Sequence, residues 1–288
     1  MRKKYSSKDF TVNELPQNRK QQFFDILKTQ KYSLIKITLM LLLCALPLFA
    51  GYIFKVQYEY SAITLLHEGG ISEQEYFAVS GMSELIYQGG CYLFFAVFAV
   101  GLSGALRVMR QIVWGENILF FDDFKIGIKH NYVRCLLYLT LLNTCLVMLK
   151  VSRFFFGIFC IPTMSLVVII ALIVMPIIGV AMIYAQVYHI TFFKSMKNSF
   201  ILILNSPRLL LPIIPLEMIF IFDDLFFAYI PIFVTLAYFL LVFTIDILLL
   251  FLVASSSFDQ LINRLRYPAL YRKGLYNPEQ DSQNIKEF

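Results

Sequence analysis

The chain has 288 residues, of which 59% are hydrophobic and 15% charged, against roughly 45–50% apolar and about 25% charged in a soluble domain. A mean hydropathy of +0.69 excludes a water-soluble globule, whose surface must stay polar. The net charge of +6 does not point to nucleic acid, because the basic residues lie in the tail and between apolar runs instead of clustering as a binding groove would require.

Residues 1–33 form a basic N-terminal tail, too polar and too charged for a signal peptide. Residues 34–254 hold the membrane-spanning part. A span needs about 20 mostly apolar residues to cross roughly 30 Å of hydrocarbon, and six stretches qualify. They run from Leu34 to Phe54, Leu85 to Leu106, Val133 to Val151, Thr163 to Tyr188, Leu209 to Phe227 and Ile230 to Ala254. The apolar segment from Phe154 to Pro162 reads as an interfacial lead-in to the fourth span. Residues 255–288 are a polar C-terminal tail, broken up by Pro268, Gly274 and Pro278. The expected fold is therefore all-α, a polytopic bundle of about six transmembrane helices.

Lysine and arginine counts set the orientation, since cytoplasmic loops retain positive charge. With the N-terminus inside, 22 of the 25 basic residues face the cytoplasm, leaving Lys55, Lys150 and Arg153 outside. The first outer connection instead carries Glu59, Glu68, Glu73, Glu75 and Glu84. Both termini are expected in the cytoplasm, in a multi-pass protein of the cell membrane. The connections are each too short for an independent soluble core.

Two inner connections read as amphipathic elbow helices at the cytoplasmic surface. In the first, Phe121, Phe124 and Ile128 recur at helical spacing, with Lys125, Lys129 and His130 facing water. In the second, Phe192, Phe193, Met196, Phe200 and Leu204 form the apolar stripe opposite Lys194, Lys197 and Asn198. Each serves either as a structural turn or as a docking surface for a cytoplasmic partner. Their loose likeness also admits a worn internal repeat of helix, elbow, helix.

Ionisable residues within a span are costly and call for a functional account. Glu217 and Asp246 are the two, each about eight residues from the inner end of its span, so they lie at similar depth. One reading has them face each other to share a proton or grip a cation. The other has each protonated or satisfied by a neighbour such as Asn143, Tyr184, Gln186 or Arg208. Small residues at Ala99, Gly101, Ser103, Gly104, Ala105, Gly179, Ala181 and Ala185 mark close helix contacts. Pro47, Pro176, Pro212 and Pro215 are expected to kink their spans.

No nucleotide-binding or catalytic motif is present, and Glu116, Asp122, Asp123 and His130 read as capping plus a solvated face, so no enzyme is expected. Cys44, Cys91, Cys135, Cys145 and Cys160 fall in apolar segments with no CxxC pair, and neither metal nor other cofactor is expected.

The stretch Gly101-Leu-Ser-Gly-Ala-Leu-Arg, then Trp114-Gly-Glu-Asn, then Phe121-Asp-Asp-Phe-Lys-Ile-Gly-Ile-Lys-His-Asn131 resembles the YesL-like family of bacterial integral membrane proteins. Phe192-Phe-Lys-Ser-Met-Lys-Asn-Ser-Phe200 is similar to that family's second elbow, and the likeness covers roughly residues 85 to 255. It implies a small multi-helix membrane protein associated with sugar-uptake transporters, and it carries over no catalytic residues. The long N-terminal tail and the acidic connection from Lys55 to Glu84 depart from the pattern. Two functions follow as expectations: an accessory or regulatory component of a transport system, whose partners are the bilayer and transporter subunits, or a self-contained secondary transporter coupled through Glu217 and Asp246.

Overall fold

A computed structural model describes residues 16–156, 160–188, 190–215 and 230–276, and every regular element assigned in them is helical. That is the expected solution where no water is at hand to satisfy backbone groups. Five helices among these residues are long and apolar enough to cross a membrane. In chain order the elements are α1 (Arg19–Thr29), α2 (Lys31–His67), α3 (Glu73–Trp114), α4 (Phe120–Phe156), α5 (Ile161–Ile169), α6 (Met175–Tyr188), α7 (Phe192–Asn205), α8 (Ile230–Leu241) and α9 (Phe243–Phe258). A π-helical turn, Ile170–Val174, joins α5 to α6, and a 3-10 helix, Pro207–Ile213, follows α7. The end of the bundle that carries Lys55 and Glu84 is termed outer, and the end that carries Arg19 and Lys273 inner.

Helices α2 and α3 outrun the first two predicted spans. At 1.5 Å per residue the 42 residues of α3 reach about 63 Å, twice the hydrocarbon thickness. The connection at 55–84 is thus a helical hairpin, turned at Glu68–Ser72, and not a loop. Its second arm starts with a capping box: Ser72 Oγ accepts from the Glu75 amide, and the Glu75 carboxylate accepts from the Ser72 amide at 2.8 Å. Hydropathy marks where the membrane ends, whereas backbone bonding continues past it.

The antiparallel pair α3 and α4 is set by small residues. A Cβ on Gly104 would lie 2.7 Å from the Phe124 ring, and one on Gly127 would lie 2.8 Å from the Ser103 carbonyl oxygen, so both positions need glycine for this approach. Gly101 likewise faces Cys44 of α2. The residues from Phe98 to Val113 are buried almost without interruption, making the inner half of α3 the centre of the core.

The elements differ in detail from the sequence expectation. The first elbow is not a separate surface helix: residues 121–130 open the single helix α4, because Phe124 and Gly127 pack on α3 and leave no reason to bend. Pro47 sits within an unbroken α2. Near Pro176, which has no amide hydrogen and whose ring crowds the preceding turn, the π-helical turn takes up the misfit. The sixth predicted span breaks at Val242 although no proline is there. The fifth, 209–227, begins as the 3-10 helix and then lies outside the described residues, together with Glu217.

The inner end is closed by the two terminal segments. Arg19 of α1 pairs with Asp259 at 2.8 Å and donates to the Lys273 carbonyl. Asp259 also accepts from Asn263 and from the Arg272 amide. Gln22 bridges the Val113 and Gly274 carbonyls. Gly274, at φ +83°, lies against Val113, where a side chain would not fit. The Tyr276 amide donates to the Pro16 carbonyl at 3.0 Å, so both ends of the described chain share the inner end.

Candidate functional site

A cavity of about 300 Å³ lies among α2, α3, α4, α6, α8 and α9. Among the described residues its wall is almost wholly apolar, with Phe49, Phe95, Phe98, Phe239 and Phe243 prominent, and Asp246 is the one acidic residue of that lining. No lysine, arginine or histidine lines it among the described residues. Volume and lining both suit a small, largely apolar ligand.

The broken sixth span builds the polar point of this wall. On a straight helix, residues eight apart are separated by about 12 Å along the axis, and side chains tilt toward the N-terminus, so Tyr238 would point away from Asp246. The break at Val242 brings them together: the Tyr238 hydroxyl donates to Asp246 Oδ2. Both residues are 8% exposed. The Phe239 and Phe243 rings meet at 4.6 Å across the same break. Thr244, on α9, exchanges a hydrogen bond with Thr38 of α2 at 2.8 Å and anchors the lower half-helix.

Asp246 does not use the neighbours expected of it. Asn143 donates to the Gln88 carbonyl, Asn198 donates to the Tyr184 hydroxyl, Asn131 donates to Gln186, and Arg208 donates to Gln260. Tyr238 escapes a sequence reading because a spacing of eight pairs no side chains on a regular helix. Whether Asp246 meets Glu217 lies outside the described residues.

Beyond the outer rim, one helical turn from Tyr52 and Tyr87, lies an ion cluster. Lys55 bridges Glu84 and Glu59, the latter at 3.9 Å, while Lys150 approaches Glu84 at 3.7 Å. The Lys55 ammonium also sits 5.5 and 5.7 Å from the Tyr52 and Tyr87 ring centroids. Two of the three outer basic residues are thereby neutralised by outer glutamates.

The elbow residues divide. Phe124 is buried in the core, whereas Phe121, Lys125 and Lys129 are exposed. On α7, Phe193 is 83% exposed, with Lys194 and Lys197 also exposed. The buried face of α7 is Ser195, Ser199 and Leu202. This inverts the soluble-protein expectation for an amphipathic helix: small polar residues pack inward, with Tyr138 bonding Ser195, and Phe193, Phe200 and Leu204 face outward. At the inner end, burial lowers the Arg19 pKa and the Asp259 carboxylate partly restores it.

Family models, curated proteins and solved structures were compared with the chain, and none matches it.

Proposed function

We propose that this multi-pass, all-helical membrane protein crosses the cell membrane six times with both termini cytoplasmic, and acts as an accessory or regulatory component beside a transport system. The Pro16–Tyr276 contact supports the topology, because two ends on one side require an even number of crossings. The uneven distribution of lysine and arginine supports the side.

The observation that carries the functional reading is the cavity wall. A sugar leaves many hydroxyls to be satisfied, and each one buried without a partner costs about 1–3 kcal/mol. Among the described residues the wall offers, besides Tyr238 and Asp246, only the hydroxyls of Tyr52, Tyr87 and Thr235 for that purpose. A polar solute's path then belongs to a partner, in keeping with the transporter association implied by the YesL-like resemblance. The exposed Phe193 with Lys194 and Lys197, and Phe121 with Lys125 and Lys129, supply the surface for that partner.

A photo-crosslinker placed at Phe193 or Phe121 in native membranes, followed by purification and mass spectrometry, tests the reading. Capture of transporter subunits is expected, and repeated recovery of the chain alone counts decisively against it. A second reading, secondary transport coupled through Asp246 with Glu217, is favoured by the place of Asp246 in the cavity wall. For that reading Asp246→Asn must abolish flux in proteoliposomes while leaving insertion intact.

A further inference from the structure

We infer that the intramembrane cavity is a binding site for a lipophilic cation, a hydrophobic amine or quaternary ammonium compound, held by the Asp246 carboxylate and the surrounding phenylalanine rings. The inference concerns binding alone and goes beyond the accessory role proposed above.

The cavity combines three features. Its volume, about 300 Å³, lies at the lower end of small-molecule sites. Its rings converge: Phe239 meets Phe49 at 5.5 Å, Phe98 at 5.9 Å and Phe243 at 4.6 Å. Aromatic faces attract a desolvated cation electrostatically, and their apolar bodies suit its hydrocarbon part.

The third feature is the acid. A carboxyl group in an apolar wall is expensive to keep ionised without a countercharge. Tyr238 supplies a neutral hydrogen bond to one oxygen, and no ion pair reaches Asp246 among the described residues. A purely structural role would be served as well by a tyrosine–asparagine or an apolar pair, without that cost. A ligand cation supplies the missing charge at the place where the described side chains supply none. An anionic ligand would meet the acid with no basic residue to offset it, and a neutral one would make no use of the charge.

The helix break serves the same end. A continuous helix from Ile230 to Phe258 would turn Tyr238 away from Asp246. Broken at Val242, it holds the carboxylate in the cavity wall and fixes it from one side by the phenol.

The full chain in nanodiscs of neutral phosphatidylcholine, with tritiated benzyltrimethylammonium as probe, tests the inference. Neopentylbenzene, in which carbon replaces the charged nitrogen, serves as the competitor of matched shape. Saturable binding is expected, weakened about tenfold or more by Asp246→Asn and severalfold by Phe239→Leu, which keeps apolar bulk but removes the ring. Neopentylbenzene should displace the probe at least about tenfold less well than the unlabelled cation. Absence of saturable binding overturns the inference, as does equal displacement by the neutral compound. If Asp246→Asn folds and binds the cation as the parent does, the site is not this one. If that variant fails to insert, Phe239→Leu decides: unchanged cation binding overturns the inference, and selective loss of the cation upholds it.

Discussion

The inner and outer halves of this bundle are held together by different chemistry. Inward of the cavity, helices touch through glycines and small residues, and the terminal segments are tied by side-chain bonds centred on Asp259. Around and outward of the cavity, aromatic side chains keep the helices apart, and the fastening is an ion cluster on Lys55 and Glu84. The inner half therefore supplies rigidity, and the outer half keeps room for a ligand. Solvent access does not by itself make the division, since the side chains of Arg19 and Asp259 are 13% and 10% exposed and those of Lys55 and Glu84 10% and 19%; the contrast lies in the number of bonds that converge on Asp259.

If the inner end is the rigid part, Asp259→Ala should produce the largest loss. It leaves Arg19 buried and unpaired and frees the Arg272 amide, for about 3–5 kcal/mol. Thermal unfolding in detergent measures the loss, and limited proteolysis should show cleavage at both termini at once. Cleavage at only one terminus would break the picture of a shared closure.

Gly127→Val probes the helix contact itself. The new side chain meets backbone at Ser103 and Gly104, so α3 and α4 must separate at about 1–3 kcal/mol. Gly89, with no atom near its would-be Cβ, is the control, and Gly89→Ala should be nearly neutral or mildly stabilising. Equal effects at the two positions would mean that glycine contacts do not set the inner packing.

In the outer half, Glu84→Gln removes the acid shared by Lys55 and Lys150. A smaller loss is expected, about 1 kcal/mol, shrinking as salt is raised because the cluster is partly open to water. A loss as large as that of Asp259→Ala, and insensitive to salt, would erase the contrast between the ends.

These two halves were unequally legible in the sequence. Ala99, Gly101, Ser103, Gly104 and Ala105 announced close contacts, and the structure buries them all, because a small residue in an apolar span has few other uses. Asp246 was legible as an intramembrane carboxylate for the same reason of cost. Tyr238 was not, because the contact depends on a break at Val242 that no proline or glycine marks. The outer hairpin was hidden too, since hydropathy reports the bilayer and Lys55, Glu59 and Glu84 depress it while the helix continues. The first elbow was not legible as part of α4, because Phe121, Phe124 and Ile128 recur at helical spacing as they would on a surface helix; Phe124 instead packs where Gly104 has no side chain.

The smallest effect on stability is expected at Phe193. It is 83% exposed, so Phe193→Ser should change the unfolding midpoint in detergent by no more than about 0.5 kcal/mol in stability. On the proposed docking role the same change should sharply reduce partner capture from native membranes, because the exposed Phe193 ring, flanked by Lys194 and Lys197, meets the neighbouring Phe192 and otherwise faces outward. Ser195→Leu is the complementary change. It overfills the buried face that meets Tyr138 and should lower stability by about 1–3 kcal/mol. If Phe193→Ser lowers stability while capture is unchanged, the outward face of α7 is a membrane anchor, and the partner surface must be sought on the exposed start of α4.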